Sequence, residues 1–216
     1  MVYRQTEKVR ARLAARKAAI LAAARALAAE QGLEAVQIAP VADRAGIAAG
    51  TVYRYFPAKT VLVEALVESV TRGEVEAIRA AAETAPGPLS SLSAAILTLA
   101  ARARRQRRLI WSLTGEPADV ETDSARLRFR AALVDELAVR LGPAVTSLDA
   151  PLAATTVLGA LLEGLVGPLA PPVGAGERDT VQTVVLIALR GLGIVDARAR
   201  GLVVQAPWPV EEPAPA

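Results

Sequence analysis

From Leu13 to Gln31 the chain runs without a proline or glycine, and Leu13, Ala14, Lys17, Ile20, Leu21, Ala24, Leu27 and Ala28 recur at helical spacing. That texture repeats along the chain, cut each time by Gly or Pro, and no stretch alternates as a strand would. The predicted helices are 13–31, 38–45, 49–55, 59–82, 89–105, a shorter one through Trp111, 124–141, 150–167 and 178–192. The breaks are Gly32, Gly46, Phe56-Pro57-Ala58, Pro86-Gly87-Pro88, Gly142-Pro143 and the segment 168–177. The fold class that follows is all-α. Aromatic residues are only 3% of the chain, against an abundance of Ala and Leu, which again favours helices over a sandwich of strands.

The chain has no cysteine and no histidine. This excludes a disulfide framework and thiolate chemistry, and removes the commonest general base and metal ligand. Glu163, the one charge within the apolar run 150–167, is the best remaining candidate for catalysis. No second carboxylate stands three or four residues from it, so neither an enzyme nor a bound metal or other cofactor is expected. The first twelve residues are polar and basic with no apolar run behind them, which implies no secretory signal and a cytoplasmic protein. The most apolar stretch, 150–176, holds Glu163 and is broken by Pro168, Pro171 and Pro172, so no membrane partner is expected.

Charge is unevenly spread. Residues 1–62 hold 10 Lys/Arg and 4 Asp/Glu, net +6, and the remainder hold 15 and 18, net −3. A basic head on a mildly acidic body suits a polyanion partner for the head, though ordinary surface charge also accounts for it. Residues 1–12 read as a basic arm. With Arg4, Lys8, Arg10, Arg12, Arg16 and Lys17 it either follows phosphate or serves as a solubilising tail.

The stretch 38–59, IAPVADRAGIAAGTVYRYFPAK, places two short helices around a tight turn. Val41, Ala42, Ala45, Ile47, Val52 and Phe56 fall on the inward side. Alanines at 42 and 45 allow a close crossing, and Gly46 supplies the positive φ that the turn requires. This is a helix-turn-helix, whose second helix enters the major groove of DNA. The run Gly46-Ile47-Ala48-Ala49-Gly50-Thr51-Val52-Tyr53-Arg54-Tyr55-Phe56-Pro57-Ala58-Lys59 resembles the signature of the TetR family of bacterial transcriptional repressors. Ile20–Leu27 and Ala29–Gly32 resemble that family's first helix, so the likeness covers about residues 16–65.

The resemblance implies a DNA-binding domain over 1–60 and a helical ligand-binding and dimerisation domain over 61–202; composition makes 203–216 a Pro-rich tail. It implies a homodimeric repressor on a palindromic double-stranded operator, released by a small apolar or amphipathic effector. An architectural DNA-binding protein without an effector is the alternative. DNA-contacting positions carried over are Gln37, Ala48, Ala49, Gly50, Thr51, Tyr53, Arg54, Tyr55 and Lys59. Arg54 has the fork that pairs with guanine, Tyr53 offers a hydroxyl to phosphate and a ring to thymine, and Lys59 suits phosphate. Gln37 stands where the family often has a capping Thr or Ser, Ala48 where it usually has Ser, and Ala49 where it often has a polar or basic residue. Pro40 removes the amide that a cap at Gln37 would bond, and alanines at 48 and 49 cannot bond to bases.

In the second domain, the runs 150–167 and 178–192 are apolar nearly all round and imply burial on more than one face. One reading is a seam between subunits, with Thr156, Gly159, Leu162 and Val166 as one stripe and Val181, Val185 and Ala188 in another. The other is a monomer core. A ligand pocket is expected near Trp111, with Arg105, Arg108, Arg126 and Arg130 beside it. Those arginines are either a phosphate or carboxylate clamp or a solvated face neutralised by Glu116, Asp119, Glu121 and Asp123.

Overall fold

The computed structural model describes residues 2–115, 123–174 and 176–209, with side chains from residue 7 onward. Among these residues there are ten α-helices and no strand. They are α1 (Val2–Gln31), α2 (Ile38–Arg44), α3 (Ala49–Tyr55), α4 (Lys59–Glu83), α5 (Pro88–Arg105), α6 (Arg107–Thr114), α7 (Asp123–Ala144), α8 (Ala150–Leu165), α9 (Glu177–Gly191) and α10 (Asp196–Gln205). A 3-10 turn, Leu33–Ala35, links α1 to α2. The all-α expectation therefore holds. None of the described helices is long and apolar enough to cross a membrane.

The body is built around α5, whose residues Leu92 to Arg104 are all buried. Helices α4, α7, α8, α9 and α10 pack against it. Small and apolar residues fill most of that stretch, and its arginines are paired, so it can be enclosed on every side. Pro88 opens it at a position where the absent N–H is not missed. Asp149 caps α8, its carboxylate accepting from the Leu152 amide at 2.9 Å. Glu177 and Asp179 lie in the first turn of α9, where the helix dipole favours negative charge. The N-terminal head consists of the end of α1, α2, α3 and the start of α4. One continuous apolar core runs from Ile20, Val41, Val52 and Phe56 through Leu66 and Val70 on α4 into the body.

The elements depart from expectation at three places. Residues 2–12, read as an arm, are helical and extend α1, as Ala, Arg, Lys and Glu without Gly or Pro allow. Gly142-Pro143 does not end α7, which runs to Ala144. Pro143 falls in its last turn, and the Val145 amide closes that turn on the Leu141 carbonyl at 2.8 Å. The tail expected from 203 onward begins inside α10. Leu202, Val203 and Ala206 are buried, and the Arg178 guanidinium lies 5.5 Å from the ring centre of Trp208.

Candidate nucleic-acid interface and the ties that hold it

Helices α2 and α3 meet at Gly46, whose φ is 63°. The Gly46 amide donates to the Asp43 carbonyl at 3.2 Å and the Ile47 amide to Ala42 at 3.0 Å, closing the end of α2. Neither α2 nor α3 has a side-chain cap. Two turns of uncapped helix are unstable alone, so burial fixes α3. Val52 and Phe56 are 0% and 1% exposed. The opposite edge of α3 is thereby turned outward.

Of the positions carried over, Gln37, Ala48, Gly50, Tyr53 and Arg54 are exposed, and Thr51 and Lys59 are half-buried. Tyr53 is 52% exposed, unusual for an aromatic ring with no work at the surface. Ala49 and Tyr55 pack against the core. The Arg54 guanidinium lies 5.7 Å from the Tyr55 ring centre, and the Lys17 ammonium 5.8 Å from that of Phe56. Arg44 on α2 makes a forked pair with Glu30 on α1. The Arg44 guanidinium holds the Glu30 carboxyl below its ordinary range. These ties fix α2 on α1 and present Gly50, Tyr53 and Arg54 on one surface.

The head is joined to the body through a buried polar hub. Glu74 of α4 is 1% exposed. It accepts from Arg102 Nε at 2.8 Å and Nη2 at 3.1 Å, and from Gln106 Nε2 at 3.1 Å. Arg25 of α1 reaches the same carboxylate at 3.8 Å and donates to Gln106 Oε1 at 2.6 Å. Three helices of head and body thus share one carboxylate. Helix α6 also packs against α1, and Arg108 donates to the Gln31 carbonyl at 3.3 Å. A helical periodicity search on single segments passes over Glu74, because its partners lie 28 and 32 positions away.

The arginine-rich segment is in part built into the protein and in part solvated. Arg104 is 2% exposed, and it bonds Glu177 and the carbonyls of Leu165 and Pro172. Arg107 donates to the carbonyls of Val166, Gly167, Ala170 and Pro171. Arg105 and Arg130 are exposed and donate to the carbonyls of Pro209 and Thr114. Arg126 is 5% exposed and engaged within the protein. Trp111 is half-buried on α6, its ring against Gly115. None of the five expected ligand residues lines either of the two hollows described below. Glu116, Asp119 and Glu121 lie outside the described residues. Glu163, the catalytic candidate, is exposed on α8, and the described residues contain no cluster of three carboxylates able to hold a metal.

Two surface hollows are relevant. One, of about 620 Å³, lies between α4 and α7, with Val61, Ala65, Val75, Ala125 and Ala132 as apolar lining and Glu64, Glu68, Arg72 and Arg128 among its polar groups. The other, of about 370 Å³, lies on the outer face of α8 and α9, lined by Leu148, Leu152, Thr156, Ala160, Ile187 and Gly191. The residues expected at a subunit seam divide here. Thr156 and Gly159 are exposed. Leu162, Val166, Val181, Val185 and Ala188 are 0–7% exposed within the single chain. Val181 and Val185 face the protomer's own core, so they are not open to a second copy. The outward apolar residues are instead Leu152 and Ile187, 67% and 58% exposed.

Comparison with known proteins agrees with this architecture. Residues 20–66 match the family described as bacterial regulatory proteins, tetR family. The HTH-type transcriptional repressor KstR of Mycobacterium tuberculosis (strain ATCC 25618 / H37Rv) is 48% identical over 67 residues, 31% of this chain and 30% of that one. The nucleoid occlusion factor SlmA of Actinobacillus pleuropneumoniae serotype 5b is 30% identical over 99 residues, 46% of this chain and 49% of that one. These alignments span between about a third and a half of the curated relatives' length. The crystal structure of RolR in complex with the ligand resorcinol superposes with a TM-score of 0.63 at 24% identity, covering 90% of this chain and 95% of that one. Its likeness shows the fold alone; what the sequence matches show is confined to the head, which over residues 20–66 is that of the tetR family of bacterial regulatory proteins.

Proposed function

We propose that this chain is a transcriptional repressor that binds a palindromic operator as a homodimer and releases it when a small apolar or amphipathic effector binds the body. The observation that carries the reading is the edge of α3. Gly50, Tyr53 and Arg54 stand outward on a helix anchored by buried Val52 and Phe56, in a segment closely similar to the KstR repressors. Gly50 leaves room for the DNA backbone, Tyr53 reaches phosphate or a thymine methyl, and Arg54 reads a base edge. Lys59, in the first turn of α4, holds a phosphate beside the free amides of that turn. DNA binding is assigned to residues 1–60 and effector sensing and assembly to the rest.

Assembly is assigned to the outer face of α8 and α9, where Leu152, Thr156 and Ile187 would be covered by a second copy. The effector is assigned to the groove between α4 and α7 rather than to the surroundings of Trp111, because its wall includes Val61 and Glu64, within two turns of Lys59. A molecule wedged there tilts α4, and α4 begins at the DNA surface. By linkage, operator DNA weakens effector binding by the factor that the effector weakens DNA binding. A hundredfold release requires about 2.7 kcal/mol of differential affinity.

Selection of bound duplexes from a random pool, repeated with a panel of metabolites, tests the reading. Arg54→Ala is expected to relax base preference at one position per half-site by about 1–3 kcal/mol. Lys59→Ala is expected to weaken all sequences alike. If Arg54→Ala leaves the preference untouched, Arg54 is not a base reader. The alternative, a DNA-binding protein without an effector, predicts that no metabolite changes the selected pool.

A further inference from the structure

The first helix continues past the point where the body supports it. Ile20, Ala23, Ala24, Leu27 and Ala28 are buried, whereas every residue from Glu7 to Ala19 is exposed. At 1.5 Å per residue this is about 20 Å of helix standing free. It carries Lys8, Arg10, Arg12, Arg16 and Lys17 against Glu7 alone, five cations to one carboxylate. The stripe that packs the head does not stop at Ile20. Leu13 and Val9 prolong it at spacings of seven and four, yet they are 49% and 57% exposed. On the helical wheel Arg12 and Arg16 flank this stripe on one side, and Arg10 and Lys17 on the other.

The free segment leaves the body beside the recognition helix, because Lys17 lies over the ring of Phe56, the residue that ends α3. Its apolar strip with two basic margins is therefore on the side of α1 that faces the head. An isolated helix of this length is marginal in water, and a second copy would bring five cations against five. Two apolar side chains are too few to hold a lipid surface alone. A duplex suits the charge and the place.

We propose that the free segment of α1 is a second DNA contact, lying along the phosphates that flank the half-site read by α3. Its 20 Å covers about six base pairs at 3.4 Å per step. The Arg and Lys margins bond phosphates, and Val9 and Leu13 rest on the sugars between them. This rests on the reading of the head as an operator binder and adds a contact that reads no bases.

The test compares the full chain with the triple variant Arg10→Gln, Arg12→Gln, Arg16→Gln, since Gln keeps the helix propensity while removing charge. Each is titrated against a selected operator with long flanks and against one trimmed at the half-site edges, over a range of salt. Expected are a salt slope shallower by about 2–3 per protomer in the variant, at about 0.9 per phosphate contact, and at least tenfold weaker binding to the long duplex. Trimming should weaken the wild type but not the variant, and base preference should be the same in both. Equal slopes, or a wild type indifferent to flanks, overturn the proposal. So does a variant that sediments as a smaller species than the wild type without DNA, which would mean that the segment pairs two copies. Charge-dependent binding to anionic phosphatidylserine vesicles with unchanged DNA slopes would overturn it in favour of a lipid surface. Failure of the wild type to bind any selected duplex would instead reject the operator reading itself.

Discussion

Replacing Glu74 by Ala removes the one carboxylate shared by Arg25, Arg102 and Gln106. Arg102 is 6% exposed, so its guanidinium remains in the protein interior after its forked partner has gone. Breaking a buried pair from one side costs about 3–5 kcal/mol, chiefly because the surviving charge loses its forked carboxylate. For a chain of this length each kcal/mol moves the melting midpoint by about 2–4 °C, so the expected fall is about 6–20 °C. The double variant Glu74→Met, Arg102→Met removes both charges and fills the space with similar volume. It is expected within about 2 kcal/mol of the wild type, because a buried pair is often no better than a packed apolar one, while Gln106 loses one acceptor at a cost of about 1 kcal/mol. Calorimetry and urea titration of the three proteins measure both values. A fall below about 1 kcal/mol in Glu74→Ala would show that the interior charge is solvated after all. A double variant as unstable as the single would show that shape, not charge balance, is what the hub supplies. In the folded double variant α1 is no longer tied to α4 by charge, and operator affinity should become less sensitive to effector.

Leu152→Asp is expected to leave the unfolding midpoint of the protomer nearly unchanged, since the site is exposed, and to convert the proposed dimer to monomer in sedimentation. Val185→Asp, at 0% exposure, is expected to unfold the protomer itself by inserting an unpaired charge into the core; a folded monomer from that variant would contradict the burial. Glu177 gives a pH dependence with a defined sign. The hydrogen bond from Arg104 holds its carboxyl below the ordinary value of 4.5 in the folded chain. The resulting stability is present above 4.5 and is lost as the pH falls through the lower, folded value. Stability curves of the wild type and Glu177→Gln should therefore converge on acidification below 4.5, and parallel curves would rule out the coupling.

The head was legible in the sequence because its signals are local. Gly46, the inward Val41, Ala42, Val52 and Phe56, and the stop at Pro57 lie within twenty residues of one another, and each acts on its own turn. The body was legible as helices but not as contacts. An apolar helix such as α9 shows that it is buried without showing against what, and so Val181 and Val185 suited a subunit seam as well as the protomer core that they occupy. The arginines at 102, 104 and 107 were illegible for the same reason. Their partners, Glu74, Glu177 and the carbonyls of residues 165–172, are brought to them only by the packing of α4, α8 and α9 around α5. Helix α10 escaped because the prolines after 206 weigh on composition, whereas Leu202 and Val203 decide burial.

The segment after α8 is held in an uncommon manner. Three of its residues, Pro168, Pro171 and Pro172, have no amide to donate, and its course is set by Arg104 and Arg107 gripping main-chain oxygens from Leu165 to Pro172. Carbonyls belong to every amino acid. At the outward positions of this bend, Leu169 and Val173, which are 89% and 61% exposed, the identity of the side chain therefore matters little to where the chain goes. Those two positions are open to drift and to labels, while the freedom ends at the main-chain oxygens that the two guanidinium groups hold.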